Sequence, residues 1–235
     1  MLFPTLMSKT FFILAVSLVF TYLGAQMVLL YFRKALEQGK PFVTVKRNKH
    51  DEEDLVVEQK YLLKIFWPAL ILSVVAFFGL LLVRETFPLN MGLMALYTFI
   101  EGVTLGIVLI SMDENLAIRV AWLTAVITLA AGVVGLYSET DLMFLGPLLF
   151  WALIGLIVVS FVRLFVSIKG GARRIIALIG VLIFVGYLLY DFNRIRKIKN
   201  LAALNTWNVA LDSAIDIYLD IINLFLQLLD LLSDD

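Results

Sequence analysis

Three aspartates recur at every fourth position in an otherwise apolar segment near the C-terminus. Asp212, Asp216 and Asp220 lie within positions 207–229, where most other residues are Leu, Ile, Val, Ala or Phe. Four residues make about one turn of an α-helix, so the three carboxylates line one slowly drifting stripe. A membrane helix cannot turn such a stripe toward lipid. The stripe must face protein or a water-filled path, where carboxylates are candidates for handling protons or cations.

Few other ionisable or amide side chains interrupt the apolar segments. They are the acids Glu101, Asp191 and Asp230, the pair Arg84 and Glu85, and the amides Asn223 and Gln227, which extend the stripe. Antiparallel threading brings Arg84, Asp191 and the first acids of the last segment to one side of the membrane. A lone carboxylate in hydrocarbon costs several kcal/mol or takes up a proton, whereas two carboxylates that share a proton near a guanidinium avoid much of that cost. The pattern therefore predicts either a pH-sensitive latch or a static polar network that fixes helix packing.

The composition is that of a polytopic membrane protein. Of the 235 residues, 62% are hydrophobic and 16% charged, and the mean hydropathy is +0.97. Soluble domains are nearer ~45–50% apolar and ~25% charged. The formal net charge of zero gives no electrostatic case for nucleic acid. The absence of cysteine excludes disulfides and thiolate chemistry, and the single histidine leaves no His-rich metal site.

Seven apolar spans each come close to the ~20 residues that a bilayer crossing needs. They run approximately over Thr10–Phe32, Ile65–Val83, Met91–Ile110, Ala117–Tyr137, Leu142–Val162, Ile175–Tyr190 and Leu204–Leu229. The sixth is short, but Asp191 and Phe192 can continue it. The first is longer than the apolar core of a signal peptide, which favours a retained membrane helix. The sequence thus predicts an all-α, multi-pass integral membrane protein, with residues 1–235 as one seven-helix domain.

The connection between the first two spans, residues 33–64, is long and charged. It contains eight Lys and Arg and an acidic run, Asp51–Asp54, next to His50. We interpret it as a solvated loop, with a weak cation or partner contact as the alternative. Counts of basic residues give opposite orientations depending on whether this loop is included, so the orientation stays open.

Of two chemistries typical of polytopic proteins, the residues exclude one and disfavour the other. A retinal Schiff base needs a lysine in the last helix, and no lysine lies beyond residue 200. Intramembrane aspartyl proteases pair a Tyr-Asp dipeptide, which Tyr190-Asp191 resembles, with a Gly-x-Gly-Asp loop. Asp220 instead follows Ile217-Tyr218-Leu219, without glycine. We therefore expect neither an enzyme nor a cofactor.

The last two spans carry long motifs that resemble the transmembrane Bax-inhibitor-motif (TMBIM) family. These motifs are Tyr190-Asp191-Phe192-Asn193-Arg194-Ile195 and the run Ala214–Phe225, AIDIYLDIINLF. The segment Glu101-Gly102-x-x-Leu105-Gly106 is similar to the family's third helix, and its glycine pair predicts a close helix contact. The charged loop at 33–64 departs from the compact bacterial members.

The resemblance implies six helices around a central, polar seventh, and a pH-sensitive calcium leak of the bacterial type. In that interpretation Asp191 and Asp220 sense protons and bind calcium weakly, and Arg84 is the latch. Asp216, Asp212, Glu101 and Asn223 are the candidate pore-lining residues. Calcium enters as the permeant ion, and the lipid bilayer and protons are the other partners. In a prokaryote the membrane would be the plasma membrane.

Two other functions remain open at this stage. The protein can be a non-conducting regulator that binds another membrane protein, such as a protease or a cell-death factor, a role that the family resemblance also implies. It can also be a proton-coupled transporter of a small solute that uses the acid stripe as a relay.

Overall fold

Seven long helices and one hairpin make up the fold in a computed structural model that describes residues 3–47, 53–163, 165–166 and 168–233. The elements are α1 (Leu6–Glu37), β1 (Val43–Arg47), β2 (Glu53–Val57), α2 (Gln59–Leu82), α3 (Leu89–Ile110), α4 (Glu114–Tyr137), α5 (Leu145–Arg163), α6 (Gly170–Ile198) and α7 (Trp207–Leu232), with a short 3₁₀ turn at Ala202–Leu204.

The first six helices are long and apolar enough to cross a membrane. The seventh is a regular helix of 26 residues that carries four aspartates. The structure therefore confirms an all-α multi-pass membrane protein, while the placement of α7 at the centre of the other six stays a prediction. α6 continues well beyond the predicted sixth span, through Asp191 and Phe192 to Ile198. This extension is expected because neither Gly nor Pro follows Gly186 in that helix.

Part of the connection predicted as a charged loop is a β-hairpin. Val43 pairs with Val57 in the antiparallel register, and both side chains are buried in one apolar cluster with Phe32 of α1 and Ile107 of α3. Alternating β-branched residues favour such strands, and the pattern was obscured by the surrounding charges. His50 and the acidic run beside it, interpreted as solvent-exposed, lie outside the side chains that the structure describes.

The chain divides into two compact units, one comprising Phe11–Ala117 and the other Ile118–Asp235 with the first ten residues. Within the first unit, α1 crosses α3 at the predicted glycine pair. A side chain at Gly102 would overlap the backbone of Thr21, and one at Gly106 would lie 2.9 Å from the Cα of Ala25. The Thr21 hydroxyl lies 3.1 Å from the Thr98 carbonyl oxygen, to which it donates a hydrogen bond across the crossing. Small residues thus let the two backbones meet, as the motif predicts.

In the second unit, α6 packs along α7 and α5 packs on α6. The start of α7 is fixed by its neighbours: the Thr206 hydroxyl caps the helix by accepting from the Val209 amide. Lys9 donates to the Asn205 carbonyl and side-chain oxygens at 2.8 and 2.9 Å and lies over the Trp207 ring. These contacts fix where α7 begins and therefore which residues it presents to α6.

We predict that Gly102→Ala destabilises the protein by about 1–3 kcal/mol, because the added methyl group meets backbone that cannot rotate away. Thermal unfolding in detergent micelles measures the effect. Gly92→Ala is the matched control in the same helix, since a side chain there meets nothing within 4 Å. Equal melting temperatures for the two variants would contradict the close crossing.

Candidate cation-binding site

Asp191 of α6 and Asp220 of α7 meet in the contact between these two helices. Each residue is only 6% exposed, and their carboxyl groups lie within hydrogen-bonding reach of each other. An ionised carboxylate can only accept, so a hydrogen bond between them requires a proton on one of the two groups. The structure thus joins two acids that lie 29 positions apart in the chain, in an arrangement that can hold a single proton between them.

The pair has spare capacity to bind another group. Oδ2 of Asp220 is buried and has no hydrogen-bond partner among the described residues. A buried acceptor without a hydrogen bond lowers the stability of the folded protein by about 1–3 kcal/mol, and by more when the group is charged. Tyr187, one turn before Asp191 on α6, lies close enough to both carboxyl groups for electrostatic coupling. The site therefore combines two carboxyl groups that can share a proton with an oxygen that can accept from water or bind a cation.

Arg194 connects the buried pair to a more exposed acid. Its Nη1 lies 2.9 Å from Oδ2 of Asp216 on α7 and 3.9 Å from Oδ1 of Asp191 on its own helix. In the sequence, Arg194 belongs to the motif that resembles the TMBIM family, but no role was predicted for it. The signal that could have found it is its three-residue spacing from Asp191, which places both on one helix face.

The remaining stripe residues differ in their surroundings. Asp212 is half-buried near the start of α7. Asn223 donates to its own helix, with Nδ2 2.8 Å from the Leu219 carbonyl oxygen. Oε1 of Gln227 is buried without a partner among the described residues and lies where any side chain at Gly180 would have to be. The polar stripe therefore extends two helical turns beyond the acid pair.

Asp230 closes the far end of α7 with two ion pairs. Its carboxylate oxygens lie 2.8 Å from Nη1 of Arg163 at the end of α5 and 2.8 Å from Nε of Arg173 at the start of α6. A carboxylate shared by two guanidinium groups ties three helix ends together. Sequence reasoning found Asp230 but neither arginine, because nothing local indicates that these three helix ends meet.

Asn193 anchors the α4–α5 connection beside the acid pair. It is fully buried, and its Nδ2 donates to the carbonyl oxygens of Gly135 and Thr140 at 3.3 and 3.1 Å. Its Oδ1 accepts from the Leu142 amide at 3.1 Å. All of the amide's hydrogen-bonding groups are therefore used to hold backbone. Because Asn193 follows Asp191 by two residues, this anchor also fixes the rotation of α6 at the site.

An ion pair on the α4–α5 connection supports the same anchor. Lys197 of α6 pairs with the exposed carboxylate of Asp141. The hydrogen bond from Lys197 is the main cause that lowers the pKa of Asp141 below its ordinary value, and the Met143 amide adds to it.

Two further residues named from the sequence lie in the other unit. Glu101 on α3 accepts a hydrogen bond from the Ser73 hydroxyl of α2 at 2.7 Å. Arg84 follows α2, and its backbone carbonyl accepts from the Asn90 side chain at 2.7 Å. The contact with Ser73 gives Glu101 a packing role between α2 and α3. The roles of Arg84 as a latch and of Glu101 in a pore stay predictions.

The fold and this site define a class: an all-α integral membrane protein whose final, polar helix holds a buried acid pair with the helix before it. The chain matches the family model described as Inhibitor of apoptosis-promoting Bax1 over residues 4–235. It therefore belongs to this family, which confirms the resemblance to TMBIM proteins drawn from its last two helices.

Similar proteins come from plants, viruses and bacteria. The chain is 27% identical to "Protein LIFEGUARD 1" of Arabidopsis thaliana over 77% of its own length and 76% of that protein. It is 35% identical to "Golgi anti-apoptotic protein" of Vaccinia virus (strain Lister) over 68% of the chain and 65% of the viral protein. It is 30% identical to an "Uncharacterized membrane protein" of Streptococcus pyogenes serotype M1, over 62% of the chain and 64% of that protein.

Replacing Asn193 by Ala should lower the stability of the protein by about 2–4 kcal/mol. The backbone N–H of Leu142 and the carbonyl groups of Gly135 and Thr140 would all lose their hydrogen-bond partner. The measurement is the melting temperature in detergent. Asn200→Ala, at an exposed position just after α6, is the control and should change it little. An Asn193→Ala variant with an unchanged melting temperature would show that other contacts hold the α4–α5 connection.

The Asp141–Lys197 pair predicts a small, pH-dependent contribution to stability. Because folding lowers the pKa of Asp141, this contribution is present above the unfolded pKa, about 3.9, and is lost as the pH falls through the folded pKa. Asp141→Asn should therefore melt slightly below the unsubstituted protein at pH 7, and the difference should shrink as the pH falls through the folded pKa of Asp141. A difference that grew on acidification would have the wrong sign for this ion pair.

Proposed function

We propose that the protein is a pH-sensitive leak for calcium and other cations, in which Asp191 and Asp220 form a site that binds either a proton or a cation. The observation that carries this proposal is the close approach of two buried carboxyl groups that belong to different helices. A static polar contact between helices needs no acid at both positions. Two acids in one desolvated place make the contact dependent on a proton.

Electrostatics links the proton to a cation. If the shared proton leaves, two negative charges remain within a few ångströms, and they repel each other by roughly 4 kcal/mol at 4 Å and an effective dielectric constant of 20. A cation that enters between them removes this repulsion. Protons and cations therefore compete for the same oxygens, and the cation concentration that half-saturates the flux should rise as the pH falls. Asp216, Arg194 and Tyr187 are the other ionisable groups near the pair and share in this balance.

The number of ligands favours a leak over a storage site. Calcium prefers ~6–8 oxygen ligands. Among the described residues, no three His, Cys, Asp or Glu side chains are grouped so that they could hold a metal ion. Two carboxylates with water as the remaining ligands would bind the ion weakly, which is what conduction requires, since the ion must leave again.

Arg84 is part of the proposal on the strength of the family resemblance and its position just after α2. As a latch, it would hold the ion path closed by pairing with an ionised acid of the Asp191–Asp220 site. Asp212, Asn223 and Glu101 are proposed as pore-lining residues on the same ground.

The competing function is a non-conducting membrane regulator that binds another membrane protein. The name of the vaccinia relative, "Golgi anti-apoptotic protein", favours this second candidate. A pure regulator would conduct no ions when purified, so flux separates the two functions.

The test is ion flux in liposomes that contain the purified protein, with calcium, sodium and proton reporters read across a range of pH. Asp191→Asn and Asp220→Asn should each weaken calcium flux severalfold and flatten its pH dependence, because the amide can neither lose a proton nor supply the negative charge. Glu139→Gln, an acid on the exposed α4–α5 connection, is the control and should behave as the unsubstituted protein.

Two results would overturn the proposal. If calcium flux and its pH profile were unchanged in both aspartate variants, Asp191 and Asp220 would not be the proton and cation site. An unsubstituted protein that conducts no ion would favour the regulator.

A further inference from the structure

Three charged side chains form a graded series that leads from the surface of the second unit to the acid pair. The side chain of Asp216 is 41% exposed, that of Arg194 is 36% exposed, and that of Asp191 is 8% exposed. One guanidinium nitrogen of Arg194 lies 2.9 Å from Asp216 and 3.9 Å from Asp191. A cation that reaches Asp191 from the side of Asp216 would therefore pass a permanently charged guanidinium.

We propose that the Arg194–Asp216 ion pair determines how the site discriminates between divalent and monovalent cations, with Arg194 disfavouring divalent ions and Asp216 favouring them. The proposal rests on the proposed cation leak and adds two specificity-determining residues to it. Neither residue is required to bind the ion directly, because their effect acts through the electrostatic potential at the acid pair.

The physical argument is the dependence of Coulomb energy on ion charge. A fixed charge a few ångströms from the site changes the energy of a divalent cation twice as much as that of a monovalent one. Removing the positive charge of Arg194 therefore favours both ions but favours Ca²⁺ more, whatever proton the acid pair carries. Removing the negative charge of Asp216 has the opposite effect, for the same reason.

The exposure of the pair makes a purely structural role a weak explanation. Ion pairs between half-exposed side chains contribute about 0–1 kcal/mol to stability. Arg194 also stands in the last turns of α6, where a positive charge is favoured by the helix dipole, but any basic residue would serve that purpose. The specific feature is that one guanidinium contacts acids on both helices, one of which belongs to the buried pair.

The experiment measures the ratio of Ca²⁺ to Na⁺ flux in liposomes for four variants of the ion pair and one control variant. Arg194→Gln should raise the ratio at least about fivefold, and Asp216→Asn should lower it by a similar factor. Arg194→Lys keeps the charge and should stay near the unsubstituted ratio. The double variant Arg194→Gln/Asp216→Asn restores the net charge and should return toward that ratio even if each single variant folds less well. Lys199→Gln, which removes a positive charge elsewhere at the end of α6, is the control for a general surface effect.

The outcomes separate this inference from the proposed function. If the unsubstituted protein conducts neither ion, the leak itself fails and this inference fails with it. If it conducts both ions but the ratio is the same in Arg194→Gln, Asp216→Asn and Lys199→Gln, the leak stands and only the role of Arg194 and Asp216 is overturned. A ratio that follows net charge across the series, including the double variant, supports the inference.

Discussion

The buried contact between Asp191 and Asp220 is the constraint on which the surrounding structure depends. Two carboxyl groups are removed from water at the contact of α6 and α7, and each is 94% buried. Leaving both acids ionised in this buried contact would cost several kcal/mol, so the arrangement favours a shared proton or a cation in its place. The same interaction therefore holds two helices together and makes that contact depend on the ions around it.

Both ends of the α6–α7 pair are braced, which keeps the two acids in register. On one side, Asn193 holds the α4–α5 connection with three hydrogen bonds, and the Thr206 cap fixes the first turn of α7. On the other side, Asp230 accepts from Arg163 and Arg173. Between these braces the polar stripe carries acceptors that lack partners among the described residues, such as Oδ2 of Asp220 and Oε1 of Gln227. A rigid frame around an incompletely satisfied centre is suited to weak, reversible binding.

Features that depend on local sequence patterns could be predicted, whereas features that depend on contacts between distant residues could not. The apolar spans and the four-residue spacing of the aspartates are local patterns with a direct helical meaning, so the helices and the stripe could be predicted. The Gly102 contact could be predicted as a close crossing, but its partner α1 could not, because the motif does not specify which helix approaches. The hairpin at Val43–Val57 was hidden by the charges around it, since its alternating pattern covers only a few residues.

The site could be predicted in part for the same reason. Asp191 and Asp220 stand out because each interrupts an apolar segment, and a family resemblance supports both. Arg194 and Arg163 do not stand out, since each lies at a helix end, where basic residues are common and their partners come from distant positions. Asn193 offered no signal of its buried role, because an amide at the end of a span is equally compatible with an exposed position. The missing information in each case was the tertiary contact, which a single sequence does not contain.

The most direct measurement of the central claim is an infrared difference spectrum of the purified protein in lipid, recorded with and without Ca²⁺. We expect Ca²⁺ to abolish the absorption of a protonated carboxylic acid and to release a proton, and we expect this change to be absent in Asp220→Asn. A spectrum in which no protonated carboxyl group responds to calcium, or in which the response persists in Asp220→Asn, would contradict the account.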